Sequence, residues 1–213
     1  HVLFRRQRQM CIRDSYPSEV NMRSYNPPKG ADTSRIKEAA DLIATAKKPV
    51  IYSGGGVNQN NASEELTALA KLLNFPVTNT LMGLGAFPGS DPQFMGMLGM
   101  HGTYQANMAM HNADLIIAVG ARFDDRITND PKQFALSAKK IHIDVDPASL
   151  SKIIKADIPI VGQVKDSLQA LIKEIKRSKI KIDTDAIDIW NIQIDKWRKK
   201  HGLCLLYTSP SPR

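Results

Sequence analysis

The sequence predicts an α/β fold, a parallel sheet of about five to six strands with helices on both faces. Three observations carry this. Short apolar runs alternate with amphipathic stretches of helical period along the chain. The apolar runs are continuous rather than alternating, as in strands buried on both sides. Four of the five clear strand ends carry glycine: SGGG (53–56), NTLMG (79–83), VGARFDDR (119–126) and VGQV (161–164), with DVDP (144–147) the exception.

Taken in order, YPSEVNMRSYNPPKGAD (16–32) holds three prolines and no apolar face, and reads as an extended linker. Thr33 or Ser34 caps a helix running to about Ala46, with Ile36, Ala39, Ala40 and Ile43 on one face. KKPVIYSGGG is a strand ending in three glycines. A second helix spans Asn61 to Leu73, with Leu66, Leu69, Ala70 and Leu73 at helical spacing, and PVTNTL is the next strand. The glycine- and methionine-rich GLGAFPGSDPQFMGMLGMHG reads as a long loop that could hide a sixth strand. Thr103 to Asn112 is helical, and ADLIIAVGARF, KIHID and DIPIVG are strands. Val164 to Arg177 is a helix with Leu168, Leu171, Ile172 and Ile175 inward. Thr184 to Lys200 is the last, with Ile187, Trp190, Ile194 and Trp197 at spacings of three and four. The pattern is Rossmann-like, and right-handed crossovers place every strand C-terminus on one edge of the sheet.

The flanks read differently. RRQRQMCIRDS and CLLYTSPSPR share no periodicity with the body of the chain, and both read as translations of sequencing-library adapters. Residues 1–14 and 204–213 are therefore set aside as artefactual tails. They hold both cysteines, Cys11 and Cys204, and four units of the +8 net charge, which leaves +4 on residues 15–203. A disulfide framework is excluded on this reading, and the basic arm no longer argues for nucleic acid. The longest apolar runs are too short to span a bilayer. The expectation is a cytoplasmic domain with no nucleic-acid or membrane partner.

Ligands of open α/β sheets bind beyond the strand C-termini. The glycines there either let a ligand approach the backbone or simply serve βα turns; their convergence on one edge favours a nucleotide-type ligand. Neither G-x-G-x-x-G nor G-x-x-x-x-G-K-[ST] is present. Asp144 and Asp146 either accept hydrogen bonds from ribose or ribityl hydroxyls or shape the turn before Pro147. In RFDDR (122–126) two arginines flank two aspartates. They form either a pyrophosphate or carboxylate grip, with Asp holding the guanidinium forks, or a solvated ion-pair loop. His101 and His111 lack metal-ligand spacing, no G-x-S-x-G elbow occurs, and no metal site is expected.

LMGLGAFPGSDPQFMGMLGMHGTYQANMAMHNADLIIAVGARFDDRITN resembles the central domain of the acetolactate synthase (acetohydroxyacid synthase) large catalytic subunit. The resemblance runs from YPSEVNMRSYNPP, similar to the linker after that family's first domain, to WRKKHGL, similar to the linker into its third. It implies a layout of linker 15–32, central FAD-binding domain 33–180, and a helix or linker 181–203 toward a further domain, with Trp190 and Trp197 on a surface facing that domain.

The family condenses two 2-ketoacids with loss of carbon dioxide in branched-chain amino-acid synthesis, using thiamine diphosphate and Mg2+. By resemblance, FAD would lie against Gly55 and Gly56, and against Thr80 and Leu81. It would also meet Leu98, Gly99, Met100 and His101, and then Gly120, Ala121, Arg122, Phe123 and Asp124. Asp144 and Val145 would meet its adenosine half, with Gln163 and Val164 beside them; Gln163 stands where the family often has an acidic residue. Arg126 would hold the second ketoacid's carboxylate, supported by Asp125, with Met100 lining the entry. No catalytic residue falls within the chain, because the family's activating glutamate and its G-D-G…N-N motif lie in other domains. The resemblance also implies a homodimer or larger assembly, and leaves open whether a regulatory small subunit binds. The rival expectations are another thiamine-diphosphate enzyme, such as glyoxylate carboligase or one like oxalyl-CoA decarboxylase, and a stand-alone nucleotide-binding module.

Overall fold

The computed structural model describes residues 30–201. The tails 1–14 and 204–213, and all but the end of the 15–32 linker, lie outside the described residues. Six strands form one parallel sheet: β1 (Pro49–Ser53), β2 (Val77–Asn79), β3 (Phe94–Met97), β4 (Leu115–Val119), β5 (Lys139–Asp144) and β6 (Ile158–Val161). Their order is β3-β2-β1-β4-β5-β6. The chain therefore winds outward in one direction from β1 and then in the other from β4, which leaves a crevice above the β1–β4 boundary.

The helices are α1 (Ile36–Ala44), α2 (Gly55–Gln59), α3 (Ser63–Leu73), α4 (Tyr104–Asn112), α5 (Asp125–Thr128), α6 (Val164–Arg177) and α7 (Thr184–His201). Strand side chains alternate between two apolar cores. Ile51, Ile117, Ile141 and Ile143 face one side, where α1, α3 and α6 bring Ile43, Leu69 and Leu168. Val50, Tyr52, Ile116 and Ala118 face the other, where α4 and α7 bring Ala109, Met110 and Trp190. The central strands are thus apolar along their length because both faces are covered. At the N-terminal edge of the sheet the Asp114 carboxylate accepts from the Lys47 and Lys48 amides at 2.8 and 2.9 Å, tying the entries to β1 and β4 together.

The sixth strand lies where the sequence left room for one: β3 sits in the methionine-rich stretch, at the sheet edge beside β2. Other elements differ from expectation. Neither Thr33 nor Ser34 caps α1: Arg35 is the N-cap, without a side-chain hydrogen bond. Asp32 makes the turn instead, its carboxylate accepting from the Ser34 amide at 2.9 Å. Finally, α7 docks onto its own domain. Trp190 is 3% exposed and its indole N–H donates to the Pro49 carbonyl at 3.0 Å, while Trp197 packs edge-on against it at 5.7 Å. The expectation of Trp190 on an outward surface is corrected by this burial. The outer face of α7 carries Ile189 and Ile192 instead.

Candidate functional site

The crevice holds a cavity of about 440 Å3, within the usual range for ligand sites. Four strand ends build it. After β1 come Gly54, Gly55 and Gly56, followed by Gln59 and Asn60 of α2 and its end; after β2 come Thr80 and Met82. After β4 come Gly120, Ala121, Arg122 and Asp124; after β5 come Asp144, Val145 and Ser149, with Val164 at the start of α6.

The glycines here serve the backbone first. A Cβ on Gly54 would stand 2.2 Å from the Gly120 carbonyl oxygen, and one on Gly56 would stand 2.8 Å from the Gly120 Cα. The β1–α2 turn and the β4 loop are pressed together and hydrogen-bonded, Gly54 N to Val119 O and Gly56 N to Gly120 O, each at 3.0 Å. Gly120 itself has φ +54°, a region glycine enters without steric cost. Side chains at these positions would separate the two loops that floor the cavity.

The RFDDR stretch leaves β4 and folds back as a loop ending in α5. Phe123 turns inward and is buried. The Arg122 and Arg126 side chains are exposed, and among the described residues neither guanidinium pairs with Asp124 or Asp125. The expected grip of Asp on Arg forks is therefore corrected. Asp125 accepts from the Arg126 backbone amide at 3.0 Å, and the Asp124 backbone carbonyl accepts from Thr128. This leaves Arg122 at the cavity wall with no ion pair among the described residues. It also leaves Asp124 Oδ1 buried with no hydrogen-bond partner among them. Asp144 uses Oδ1 to accept from the Asp146 amide at 2.9 Å and borders the cavity.

Of the residues expected to touch a cofactor, Gly55, Gly56, Thr80, Gly120, Ala121, Arg122, Asp124, Asp144, Val145 and Val164 converge on this cavity. The others lie outside its lining. Leu81 is exposed on a 3₁₀ turn whose N-cap, Thr80, accepts from Gly83 N at 2.9 Å. Gln163 bonds to Asn60 Nδ2, and its amide donates to Gly30 O at 2.9 Å. Leu98 lines a second cavity of about 240 Å3 with Asn107, Met110 and Ile127. Met100, 76% exposed, and His101 project from the loop beyond it. That loop is joined to RFDDR: Met100 N donates to Arg126 O at 3.3 Å, and Gly99 is bracketed by the Asn107 side-chain amide at 3.0 and 3.1 Å. The two most distinctive sequence motifs thus meet in space, with Arg126 at the junction. Gln59, Asn60, Met82 and Ser149 line the main cavity too, and nothing in the sequence singles them out. Asn60 is the informative one, since its side chain also accepts from the Lys165 amide at 3.1 Å and so orders the first turn of α6.

Among the described residues no group of three or more His, Cys, Asp or Glu is placed to hold a metal ion, and no helix is long and apolar enough to cross a membrane.

A sheet wound in two directions from β1 and β4, with a crevice of glycine turns and carboxylates at the boundary, defines a doubly wound α/β domain, a class whose ligand sites lie at such a switch point. Residues 36–171 match the family described as thiamine pyrophosphate enzyme, central domain, and the chain belongs to that family. Its curated relatives include the acetolactate synthase large subunit of Buchnera aphidicola subsp. Schlechtendalia chinensis. That protein is 51% identical over 188 residues, which is 88% of this chain and 33% of the relative. The acetolactate synthase isozyme 3 large subunit of Escherichia coli (strain K12) is 46% identical over 93% of this chain and 34% of its own length. A probable acetolactate synthase large subunit of Methanococcus aeolicus is 45% identical over 86% and 31%. The chain spans about a third of the length of these relatives.

Proposed function

We propose that this chain is the central, flavin-binding domain of an acetolactate synthase large subunit. The complete protein would condense pyruvate with pyruvate or 2-ketobutyrate, with loss of carbon dioxide. Thiamine diphosphate and Mg2+ would be held by domains outside this chain, and the protein would work as a homodimer or larger assembly with a regulatory small subunit. The chain's own part is to bind FAD. The observation that carries this is the cavity at the β1–β4 boundary, where two polar demands stand open. Arg122, unpaired among the described residues, is a cation suited to a pyrophosphate, and Asp124 Oδ1 is a buried acceptor awaiting a donor. Asp144, at the end of β5, stands where a ribose hydroxyl can donate to it. These residues fit a dinucleotide, and Arg126 with Met100, on the neighbouring loop bonded to it, fit a ketoacid's carboxylate and entry.

The test is a titration of the purified chain with FAD, followed by quenching of flavin fluorescence. Saturable one-to-one binding, tighter than that of riboflavin, which lacks the pyrophosphate and adenosine, is expected. No saturable binding overturns the flavin assignment. Acetolactate formation from pyruvate by this chain alone, with thiamine diphosphate and Mg2+ supplied, overturns the placement of catalysis in other domains.

A further inference from the structure

The loop that carries Arg122 and Asp124 is held from beneath by a single cross-strand row of the sheet. In the register of β1, β4 and β5, Tyr52 stands opposite Ala118, and Ala118 opposite His142. All three side chains are buried in the same apolar core. Neighbouring strands in a sheet are about 4.8 Å apart, so Tyr52 and His142 are separated by one strand bearing only a methyl group. The Phe123 ring occupies the space this leaves. Its centroid lies 5.6 Å from that of Tyr52 and 5.3 Å from that of His142, edge-on to the imidazole at 82°. The flanking residues then bond consecutive carbonyls of the same loop. His142 Nε2 meets Ala121 O at 2.8 Å, and Tyr52 OH donates to Arg122 O at 3.2 Å. A carbonyl oxygen only accepts, so the hydrogen must sit on Nε2. Nδ1 is buried and has no partner among the described residues, so it bears the lone pair of the neutral ring.

We infer that Tyr52, Ala118 and His142 form a clamp that fixes the loop 120–126 by seating Phe123, and that Tyr52 and His142 are positioning residues for Arg122 and Asp124 at the ligand cavity. This deepens the flavin-binding reading and rests on it for the identity of the ligand alone. The clamp orders the loop before any ligand arrives, so the cost of fixing it does not fall on binding. It also explains two residue types that packing alone does not demand. A histidine with one idle nitrogen sits in an apolar core, and an alanine stands in β4 between Ile117 and Val119, where a larger apolar residue would be the rule.

The experiment uses the full chain and two readouts. One is hydrogen exchange of the amides of residues 120–126 without ligand, with 115–117 as internal control. The other is the dissociation constant for FAD. Tyr52→Phe removes only the hydroxyl, and should accelerate loop exchange and weaken FAD by about 3- to 10-fold, the size of one net hydrogen bond. His142→Leu should do at least as much, whereas His142→Gln, whose amide can reach the Ala121 carbonyl, should recover most of the loss. Ala118→Leu should act as a stronger form of both by expelling Phe123. Unchanged exchange at 120–126 in Tyr52→Phe and His142→Leu chains with wild-type circular dichroism overturns the clamp. So does a His142→Gln chain no better than His142→Leu. If wild-type chain fails to bind FAD, the flavin reading falls, but the exchange arms still decide on the clamp. Should Ala118→Leu not fold, Tyr52→Phe is decisive by itself.

Discussion

Replacing Gly54 with alanine tests whether the glycine turn after β1 exists for backbone contact. The added Cβ would lie 2.2 Å from the Gly120 carbonyl oxygen, 2.6 Å from the Ala121 Cα and 2.8 Å from the Ala121 Cβ. Backbone cannot rotate away as a side chain can, so the two loops must part by about 1 Å to reach ordinary contact distances. That movement stretches the bonds from Gly54 N to Val119 O and from Gly56 N to Gly120 O, both now 3.0 Å. Each contributes about 1 kcal/mol, and overpacking adds about 1–3 kcal/mol. The expected loss is therefore about 3–5 kcal/mol, a large part of the ~5–15 kcal/mol that holds a domain folded. Gly89→Ala is the control, since a Cβ there meets nothing within 4 Å, and it should change stability by less than about 0.5 kcal/mol. Urea unfolding followed by far-ultraviolet circular dichroism reads both, provided the slopes agree. A Gly54→Ala chain with the midpoint of Gly89→Ala would mean that the turn after β1 has room for a side chain and that its glycine does not serve backbone contact.

Three further outcomes are expected. Burial holds the His142 imidazole below its ordinary pKa of 6.5, against smaller opposing effects from the Ala121 carbonyl and Asp144. The unfolded chain therefore takes up this proton first as pH falls. The His142 contribution to stability is complete above about pH 6.5 and declines below it, until the folded ring also protonates; His142→Gln should flatten that part of a stability-against-pH curve measured by urea midpoints. Trp190→Ala removes a buried indole and its bond to the Pro49 carbonyl, and should cost about 3–5 kcal/mol in the same assay; a cost below about 1 kcal/mol would mean α7 is not part of the folded unit. Arg122→Ala should weaken FAD binding by about tenfold to a hundredfold, as expected for a charge-assisted contact, with the urea midpoint unmoved because its guanidinium carries no ion pair among the described residues.

The strands are legible in the sequence because most are doubly buried apolar runs bounded by a turn. α6 is legible to the residue, because its inward positions recur at helical spacing. For β3 only the region is legible and not the bounds, since FMGM has a glycine at φ +90° and lies half-covered at the sheet edge, so neither continuity nor alternation marks it. The α1 cap is ambiguous because Asp32, Thr33 and Ser34 are all capable of the role, and only the chain path selects among them. At the site, the convergence of strand ends follows from topology. The fate of RFDDR does not, because its charge pattern points to Arg–Asp pairing while the loop is governed by its one apolar residue, Phe123. That residue depends on a row of three side chains brought together by strand register, from positions 52, 118 and 142. Gln59, Asn60 and Ser149 carry no sequence mark distinguishing them from other polar loop residues.

The flavin nucleotide is proposed to lie in the crevice between β1 and β4. Amide chemical shifts of the isotopically labelled chain, recorded as FAD is added, test it most directly. Saturating shifts are expected at Gly55, Gly56, Gly120 to Asp124, Asp144 and Val145, with the outer face of α7 unmoved. Shifts confined to α7 and the Trp197 surface, or no saturating shift at the strand ends, would contradict it.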